Sequence, residues 1–462
     1  MKKLLLILTF CLPLIVLSQK GNLPEESYFE PFVVQKSECL SKEGRQELNQ
    51  AILENKKQIL KKKPDAFNQK GGSVLFVEPI RPKAGFNDYG YHTINFLVDH
   101  NSTPNNNLLD YFCGTRTYDW ASGNHGGTDY ILWPYPWKRM QEELMEIVAA
   151  APGIIVEKRD GFYDLNCLNN GNPNWNGIVL EHTDGTQTIY MHFKDGAITS
   201  KNIGDSVAEG EYLGAAGSSG SSTIPHLHFE VRDSSNNLID PFQGSCNTMN
   251  ADSKWQNQED YYISRINRMR TLNSQTFDDQ CPNVENTYEE LNFESGDQLV
   301  LRLFFRDLKN GVPVDFTVTD PNGGIFAEFT WVSNWGQFYA TSWGQWVWNV
   351  DNSWPDGVYN VTVDFEGNTY ETIFGINTSL SVENLENNQI SVFPNPATTV
   401  VNIQSISNIE QVMLFDIHGR AVMQQNLNNT AASLDVSGLK TGVYFAVIQS
   451  EGKTTTKKII KQ

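Results

Sequence analysis

The chain has 462 residues, with 54 acidic against 35 basic side chains and a formal net charge of −19. A surface this acidic repels phosphate backbones and anionic lipid, so the charge argues against nucleic acid and membrane surfaces as partners. The length predicts about three folded domains.

The first 18 residues have the pattern of an export signal. Two lysines precede an apolar run from 4 to 17, and Val16 and Ser18 are small enough for the −3 and −1 positions of a signal peptidase site. The run is shorter than the roughly 20 apolar residues of a membrane-spanning helix. We therefore expect residues 1–18 to be removed and the remaining chain to be secreted, with no membrane span.

The next region, residues 19–85, is expected to contain one helix. Residues 42–63 include a single glycine and no proline, and they carry apolar side chains at Leu48, Ile52 and Ile59. This spacing and the basic end of the segment favour an amphipathic helix.

Residues 73–246 are dominated by short runs of alternating apolar side chains, separated by Gly, Asn and Asp turns. Such runs predict antiparallel strands. Two stretches, 136–150 and 254–272, have a helix-like composition, and we expect short helices there. The domain that contains these elements is placed at 86–282.

The remainder of the chain predicts two further β modules. Residues 283–378 are expected to form an antiparallel β-sandwich, residues 379–389 a polar linker, and residues 390–462 a small C-terminal β module. The fold class is therefore mostly β: an antiparallel β-sheet core with short helices, then the sandwich, then the small module. Six tryptophans between 331 and 354 form either a surface that binds sugars or peptides or the sandwich core.

Five cysteines follow the signal, and export to an oxidising compartment permits disulfides. An odd number leaves at least one thiol unpaired or paired between chains. The preferred pairs are Cys113–Cys167 and Cys246–Cys281, with Cys39 left over, although spacing alone does not establish connectivity.

Five side chains in three separate β segments have the chemistry of a metal site. His226 and His228 are two residues apart in a strand-like run, so they point to the same face. His125 and Asp129 flank two glycines, which allow the backbone to turn tightly. Two imidazoles and one carboxylate suit Zn²⁺ with an open fourth position, and His192 lies in a further strand.

The order of these motifs resembles the lysostaphin/LytM-type zinc endopeptidases of family M23, over roughly residues 86–246. The motifs are H-x-x-x-D, then Y-x-H, then a Gly/Ser-rich loop that leads into P-H-L-H-F-E. The resemblance implies that His125, Asp129 and His228 are zinc ligands and that His192 and His226 are catalytic. It also implies an antiparallel β-sheet peptidase core.

The function implied is a secreted zinc-dependent endopeptidase that cleaves at glycine-rich sites in peptidoglycan peptides or extracellular proteins. The alternative is a non-catalytic LytM-like scaffold that binds cell wall or protein. A degenerate scaffold is expected to lack one of the five residues, and this sequence retains all of them.

Two features near the site bear on the shape of the cleft. The Gly/Ser-rich loop within residues 214–232 is expected to form a flexible rim. The segment 130–153 replaces the compact strand-turn of the family and brings Trp133 and Trp137. We expect it to wall one side of the cleft.

Residues 390–462 resemble the C-terminal sorting domain of type IX secretion substrates. The features that carry the resemblance are Phe393-Pro394-Asn395-Pro396, Gly442-Val443-Tyr444 and the basic end at 457–461. They imply recognition by the secretion machinery, passage across the outer membrane, and release or attachment at the cell surface.

Overall fold

The structure is a computed structural model of the whole chain. It describes residues 19–462 except 37, 69–70, 102, 104–106, 122, 169–171, 279–280, 335–337, 381–389, 394, 418 and 451–452. The signal expected at 1–18, most of the linker expected at 379–389, and Trp335 lie outside the described residues.

The N-terminal region contributes two strands and the predicted helix. Their bounds are β1 Gln19–Gly21, β2 Glu26–Pro31 and α1 Lys42–Lys62. The helix begins at Ser41, whose hydroxyl accepts a hydrogen bond from the Gly44 amide at 3.1 Å. Leu48, Ile52 and Ile59 are buried on one face, which confirms the predicted amphipathic helix.

The following region is an antiparallel β core. Its elements are β3 Ile80–Pro82, β4 His92–Phe96, β5 Asp119–Trp120, β6 Gly123–Asn124, β7 Thr128–Leu132, α2 Pro136–Gln141, β8 Met145–Val148, β9 Gly153–Arg159, β10 Gly177–Glu181, β11 Gln187–Met191, β12 Phe193–Ile198, β13 Ser206–Val207, β14 Tyr212–Ala216, β15 His226–Arg232 and β16 Leu238–Ile239. The larger sheet has the order β13-β9-β10-β11-β15-β7-β4, with β16 paired to β15. A second sheet has the order β12-β14-β8-β3.

Helix α1 packs on the larger sheet. Its buried face contacts Val156, Val179 and Ile189, which lie on β9, β10 and β11. Lys56 adds an ion pair to Glu181 at 2.6 Å. The N-terminal region is therefore part of the same folded body as the sheet that carries the histidine motifs.

The predictions of a helix at 136–150 and of another at 254–272 are wrong over most of these residues. Helix α2 covers only Pro136–Gln141, and Met145–Val148 forms strand β8 between β3 and β14. Pairing in the sheet buries Met145 and Ile147, and this outweighs the helical preference of the local sequence.

The sandwich begins with a strand that the sequence did not predict. Its elements are β17 Arg265–Leu272, β18 Asn292–Phe293, β19 Gln298–Leu308, β20 Pro313–Thr319, β21 Ile325–Val332, β22 Tyr339–Asn349, β23 Gly357–Phe365 and β24 Asn368–Ile376. The two sheets have the orders β1-β21-β20-β23-β24-β18 and β17-β19-β22-β2. The described pairings within them are antiparallel except β18 with β24. By sheet membership, β17 joins the sandwich although it precedes the boundary expected at residue 283.

The described tryptophans of the 331–354 cluster belong to the sandwich interior. They are each buried, and most of them pack in one aromatic and aliphatic core; they are Trp331, Trp343, Trp346, Trp348 and Trp354. Of the two alternatives for this cluster, the structure therefore shows the core.

The segment after Asp129 joins the larger sheet of the β core to the sandwich. The Trp133 indole donates a hydrogen bond to the Phe305 carbonyl at 3.0 Å, and Trp133 and Tyr135 pack with Phe304 and Trp343. We expected this segment to wall the cleft. Trp133 and Tyr135 are instead buried against the sandwich and Trp137 in the core of the β region, so neither tryptophan of the segment is exposed.

The disulfides differ from the preferred pairs. Cys113 pairs with Cys246 and Cys167 with Cys281, with Cα–Cα distances of 5.1 and 5.8 Å. The fold brings together loops that are 133 and 114 residues apart in sequence, and the spacing of the cysteines does not encode this. Cys39 is left outside the described disulfides, as expected.

The C-terminal module is a five-stranded antiparallel sheet with its own core. Its strands are β25 Ile390–Phe393, β26 Val400–Asp416, β27 Ala421–Asp435, β28 Gly442–Ser450 and β29 Lys453–Lys461. The core contains Ile403, Leu414 and Ile448. Within the described residues, no helix has the length and apolar character needed to cross a membrane.

Candidate active site

The centre of the site lies where β15 pairs with β7. In this antiparallel register His228 stands directly opposite Asp129. Their side chains meet on one face, with Nδ1 of His228 2.9 Å from Oδ1 of Asp129. The H-x-H strand and the H-x-x-x-D motif are therefore neighbours in the sheet, as the sequence analysis required.

His125 reaches the same point from the turn after β6. Its Nδ1–H donates to the Leu97 carbonyl at 2.8 Å, because a carbonyl can only accept. The other ring nitrogen, Nε2, is turned into the site and lies 3.2 Å from Nδ1 of His228 and 3.2 Å from Oδ2 of Asp129. The Tyr118 ring stacks on the His125 ring with centroids 4.3 Å apart.

One glycine of the turn is needed by the site. A Cβ atom at position 127 would lie 2.6 Å from Cε1 of His228, closer than real Cβ contacts. Gly127 therefore lets the His228 ring lie against the backbone that precedes Asp129.

The far side of the His228 ring faces a buried carboxylate. Its Nε2 lies 3.7 Å from Oε2 of Glu230, which is bound in turn by Arg45 and Arg232. Such a carboxylate fixes the orientation of an imidazole that binds metal through its other nitrogen. The sequence analysis missed Glu230, although its position two residues after His228 places it on the same strand face.

His192 and His226 lie beside this group, with ring centroids 4.5 Å apart. Nδ1–H of His192 donates to the Ser219 carbonyl at 2.6 Å, and Nδ1–H of His226 donates to the Ile224 carbonyl at 2.7 Å. The Nε2 atom of His192 is buried and has no hydrogen-bond partner within the described part of the chain. His192 also has a positive φ of 69°, a backbone strain of the kind found at functional sites.

The Gly/Ser-rich loop is a buried support rather than a flexible rim. Ser218, Ser219 and Ser222 are buried, and the Ser218 hydroxyl donates to the Asn166 carbonyl at 2.7 Å. The Ser219 carbonyl holds His192, as described above. The small side chains allow this loop to pack beneath the two histidines, which corrects our expectation for it.

Electrostatic coupling within the cluster is strong. Burial alone disfavours charge on His125, but the Asp129 carboxylate outweighs burial and raises the pKa of His125 to about 9. Burial likewise opposes ionisation of Asp129, and the charge on His125 holds its pKa well below the ordinary value. Burial and the neighbouring His226 lower the pKa of His192. The cluster thus contains one stable carboxylate and a neutral imidazole beside it.

A sixth side chain, Cys39, completes the cluster from the N-terminal region. Its sulfur and one ligand atom each of His125, Asp129 and His228 lie within 4.8 Å of one another. The same sulfur forms a second such group with His192 and His226. Burial opposes ionisation of the thiol, but His228 outweighs it and lowers the pKa of Cys39 well below its usual range. The odd cysteine count was the signal in the sequence, but it did not indicate this position.

Two family models match the chain. Residues 140–241 match peptidase family M23, and residues 391–462 match the secretion system C-terminal sorting domain. The first match contains His192, His226 and His228 but begins after His125 and Asp129. In the sequence, the segment that begins after Asp129 and contacts the sandwich separates His125 and Asp129 from the three histidines inside the match.

Curated relatives share a short stretch with this chain. The DD-carboxypeptidase/endopeptidase Mpg of Neisseria meningitidis serogroup B is 35% identical over 85 residues, and its counterpart in Neisseria gonorrhoeae shows the same identity. The match covers 18% of this chain and 16% of each relative. The chain therefore spans about a sixth of the length of the curated relatives that it matches.

Solved structures of M23 proteins are also similar over part of the chain. The catalytic domain of lysostaphin from Staphylococcus simulans is 29% identical, covering 26% of this chain and 77% of that one, with a TM-score of 0.19. A mutant catalytic domain of the prophage-encoded protein EnpA from Enterococcus faecalis is 21% identical, covering 37% and 96%, with a TM-score of 0.20. The chain therefore has one region that is similar to peptidase family M23 and a second, C-terminal region that is similar to the sorting domain of a secretion system.

Proposed function

We propose that the protein is a secreted zinc-dependent endopeptidase, with His125, Asp129 and His228 as the zinc ligands and His192 and His226 as the catalytic histidines. The observation that carries the proposal is the convergence of these five side chains from three separate segments onto one buried point. Each imidazole has one ring nitrogen held by a carbonyl or carboxylate and the other turned into the site.

The three proposed ligands fit zinc by their chemistry. Two imidazole nitrogens and a carboxylate oxygen form the donor set of a catalytic zinc site, which keeps a fourth position open. When bound, zinc supplies Lewis acidity, which polarises a carbonyl and makes hydroxide available near neutral pH. The Leu97 carbonyl holds the outer nitrogen of His125 by a hydrogen bond, and the Glu230 carboxylate faces the outer nitrogen of His228 at 3.7 Å.

His192 and His226 are suited to act on the substrate rather than on the metal. Their Nδ1 protons are engaged by the Ser219 and Ile224 carbonyls, so Nε2 of each ring is left for the reacting groups. A neutral Nε2 accepts a proton from the attacking water, and a protonated one donates to the developing oxyanion or the leaving amine. The lowered pKa of His192 keeps that ring neutral at neutral pH.

The substrate class follows from the family resemblance and from the sorting domain. We propose glycine-rich peptide bonds in peptidoglycan peptides or extracellular proteins. A signal at 1–18 and a type IX sorting domain at 390–462 would carry the enzyme past the outer membrane. There it meets the walls of other bacteria and extracellular protein. The net charge of −19 favours cationic polymers at low salt.

The test is a zinc determination combined with a cleavage screen. We expect about one zinc per chain and loss of hydrolysis on chelation, because the ligand set is complete with one ion. The screen uses purified peptidoglycan and a glycine-rich protein such as elastin. Because Cys39 lies at the site, both the wild-type chain and Cys39→Ala are assayed. Zinc binding without hydrolysis by either chain would favour the non-catalytic scaffold.

A further inference from the structure

We propose that Cys39 is a fourth zinc ligand and that the N-terminal region 19–62 holds the enzyme in a latent state through it. The proposal rests on the zinc site of the proposed function. It adds a ligand from outside the matched peptidase domain and a regulatory role for the segment that carries it.

The first observation is the position of the thiol. Cys39 is 7% exposed, and its sulfur shares one 4.8 Å group with ligand atoms of His125, Asp129 and His228. The Tyr118 hydroxyl lies 3.5 Å from the same sulfur. Three ligands from the sheet and one thiolate complete the four-coordinate set that zinc adopts in closed, structural sites.

A second, independent observation is the state of His192. Its Nε2 atom is buried and lacks a hydrogen-bond partner within the described residues. One ring nitrogen of His192, one of His226 and the Cys39 sulfur also lie within 4.8 Å of one another. The sulfur therefore stands where the proposed reaction needs the water and the scissile carbonyl, between the metal ligands and the two catalytic histidines.

The chain before Cys39 lies along the site. Val34 is buried against Ile131 and Ile224, and the Gln35 carbonyl accepts a hydrogen bond from the Thr223 hydroxyl at 2.8 Å. Ile131 belongs to strand β7, and Ile224 lies two residues before the H-x-H strand begins at His226. A substrate peptide that entered from this side would meet the segment already in place.

Both ends of the segment are anchored. Upstream, β2 pairs with β22 of the sandwich over six residues. Downstream, α1 packs on the larger sheet, on the face that also carries His228, and Arg45 binds the buried Glu230. A group tethered this closely has an effective concentration in the millimolar range, so dilute substrate does not displace it.

The chemistry of latency is ligand replacement. The thiol gives up its proton to solvent, and the thiolate takes the position that water or a substrate carbonyl would occupy. With this position filled, no nucleophile is available next to the scissile bond. Release of the N-terminal region reverses the exchange: the sulfur leaves, is reprotonated, and water returns. No oxidant is needed in either direction.

The disulfides make the test specific. Cys113, Cys167, Cys246 and Cys281 are paired, so Cys39 is the described cysteine that remains to supply a thiolate. Replacement of zinc by Co²⁺ in the full chain should give a thiolate-to-cobalt absorption band in the near ultraviolet. We expect the band in the wild-type protein and in the control Val33→Ala, whose side chain is in the same segment but 78% exposed. We expect its loss in Cys39→Ala.

Thiol reactivity provides a readout that needs no variant. Alkylation of Cys39 in the native wild-type protein should be slow with zinc bound and should accelerate about tenfold or more when the metal is chelated, because the bound sulfur is protected. Peptide hydrolysis by Cys39→Ala should exceed that of wild type by about tenfold or more, as expected if at most about a tenth of wild-type molecules have the cysteine displaced.

The outcomes separate this proposal from the function on which it rests. The ligation would be overturned if the cobalt band were the same in wild type and Cys39→Ala and if chelation of the metal left the alkylation rate of Cys39 unchanged. A Cys39-dependent band without any gain in hydrolysis over an active wild type would overturn the latency. A Cys39-dependent band in a chain that cleaves nothing even as Cys39→Ala would support the ligation and overturn the peptidase function.

Discussion

The guanidinium of Arg45 forms two hydrogen bonds of 2.7 Å with the carboxylate of Glu230. Arg45 lies in the first turns of helix α1, and Glu230 lies on strand β15 with its carboxylate facing His228. This pair links the N-terminal region directly to the strand that carries His226 and His228. Anything that moves the helix therefore acts on the carboxylate that orients His228.

Replacing Arg45 with methionine should loosen the helix from the sheet. The change removes two hydrogen bonds to a buried charged group, and we expect a loss of about 1.5–3 kcal/mol in helix docking. Hydrogen exchange of residues 42–62, followed by mass spectrometry, should become faster while exchange in the sandwich stays constant. The control is Lys57→Ala, which breaks an exposed pair with Glu54 and should leave helix docking nearly unchanged. Equal exchange in both variants would contradict the anchoring role of Arg45.

The two histidines of the H-x-H strand should differ in what they lose on substitution. His228→Ala removes a proposed ligand, and we expect the purified protein to lose its zinc. His226→Ala keeps the three ligands, and we expect full zinc content with turnover slower by about 10²- to 10⁴-fold. Metal analysis and initial rates on the same preparations measure both effects. Equal zinc retention by the two variants would show that the division of roles is wrong.

The sequence predicted the strands well where one face is polar and one apolar, and failed where a bulge interrupts this alternation. In β17 the register shifts between Ile266 and Arg268, so that Ile266 and Met269 are both buried despite a spacing of three. That spacing also occurs on one face of a helix, so the alternation that would have marked residues 265–272 as a strand is missing. Pairing with β19 selects the strand over a helix, and this pairing is not visible in the local sequence.

The five predicted site residues meet because each motif carries its own local geometry. The H-x-H spacing places two imidazoles on one face, and the glycines before Asp129 allow the close approach of His228. Cys39 has no such local signature. It reaches the site only because β2 and α1 dock on two different domains, and contacts this distant in sequence cannot be read from a motif. Glu230 could have been predicted, because the two-residue spacing that places His226 and His228 on one strand face also places Glu230 there.

Peptide mapping without reduction should recover Cys113 linked to Cys246 and Cys167 linked to Cys281. Each bridge closes a long loop of the unfolded chain, so removal of either pair by double serine substitution should cost about 2–4 kcal/mol. Cys39 should appear as a reduced peptide in the same map. A fragment that links Cys113 to Cys167 would contradict the structure and restore the pairing expected from sequence.

Asp88 should be a major stabilising residue where α2 meets β17. It is buried and paired with Arg139, Arg268 and Arg270. Asp88→Asn removes the one carboxylate that all three buried guanidinium groups share, although Arg268 and Arg270 also contact Glu289. We expect a loss of about 3–5 kcal/mol, measured by urea denaturation at neutral pH. Asp252→Asn, at an exposed position, is the control and should change stability little.

The effect of Asp88→Asn should depend on pH in a defined direction. Burial alone would raise the pKa of Asp88, but the three arginines outweigh it and hold the folded-state pKa below the ordinary 3.8. The stabilisation by the carboxylate is therefore present above the unfolded-state pKa and is lost as pH falls through the folded-state pKa. The stability difference between wild type and variant should be constant near neutral pH and shrink in acid. A difference that grows on acidification would refute this account.

Deletion of residues 390–462 should separate export from chemistry. The C-terminal sheet has its own core and contributes none of the five proposed site residues, so the truncated chain should keep its zinc content and its hydrolytic rate. The matched sorting domain is lost, and we expect the protein to accumulate in the periplasm of its host, as measured by cell fractionation. Glu371→Ala is the matched control, because it breaks an ion pair with Lys457 yet leaves the tail sequence complete, and it should be exported normally. Truncated protein in the medium at the wild-type level would show that the tail is an accessory β module without a sorting role.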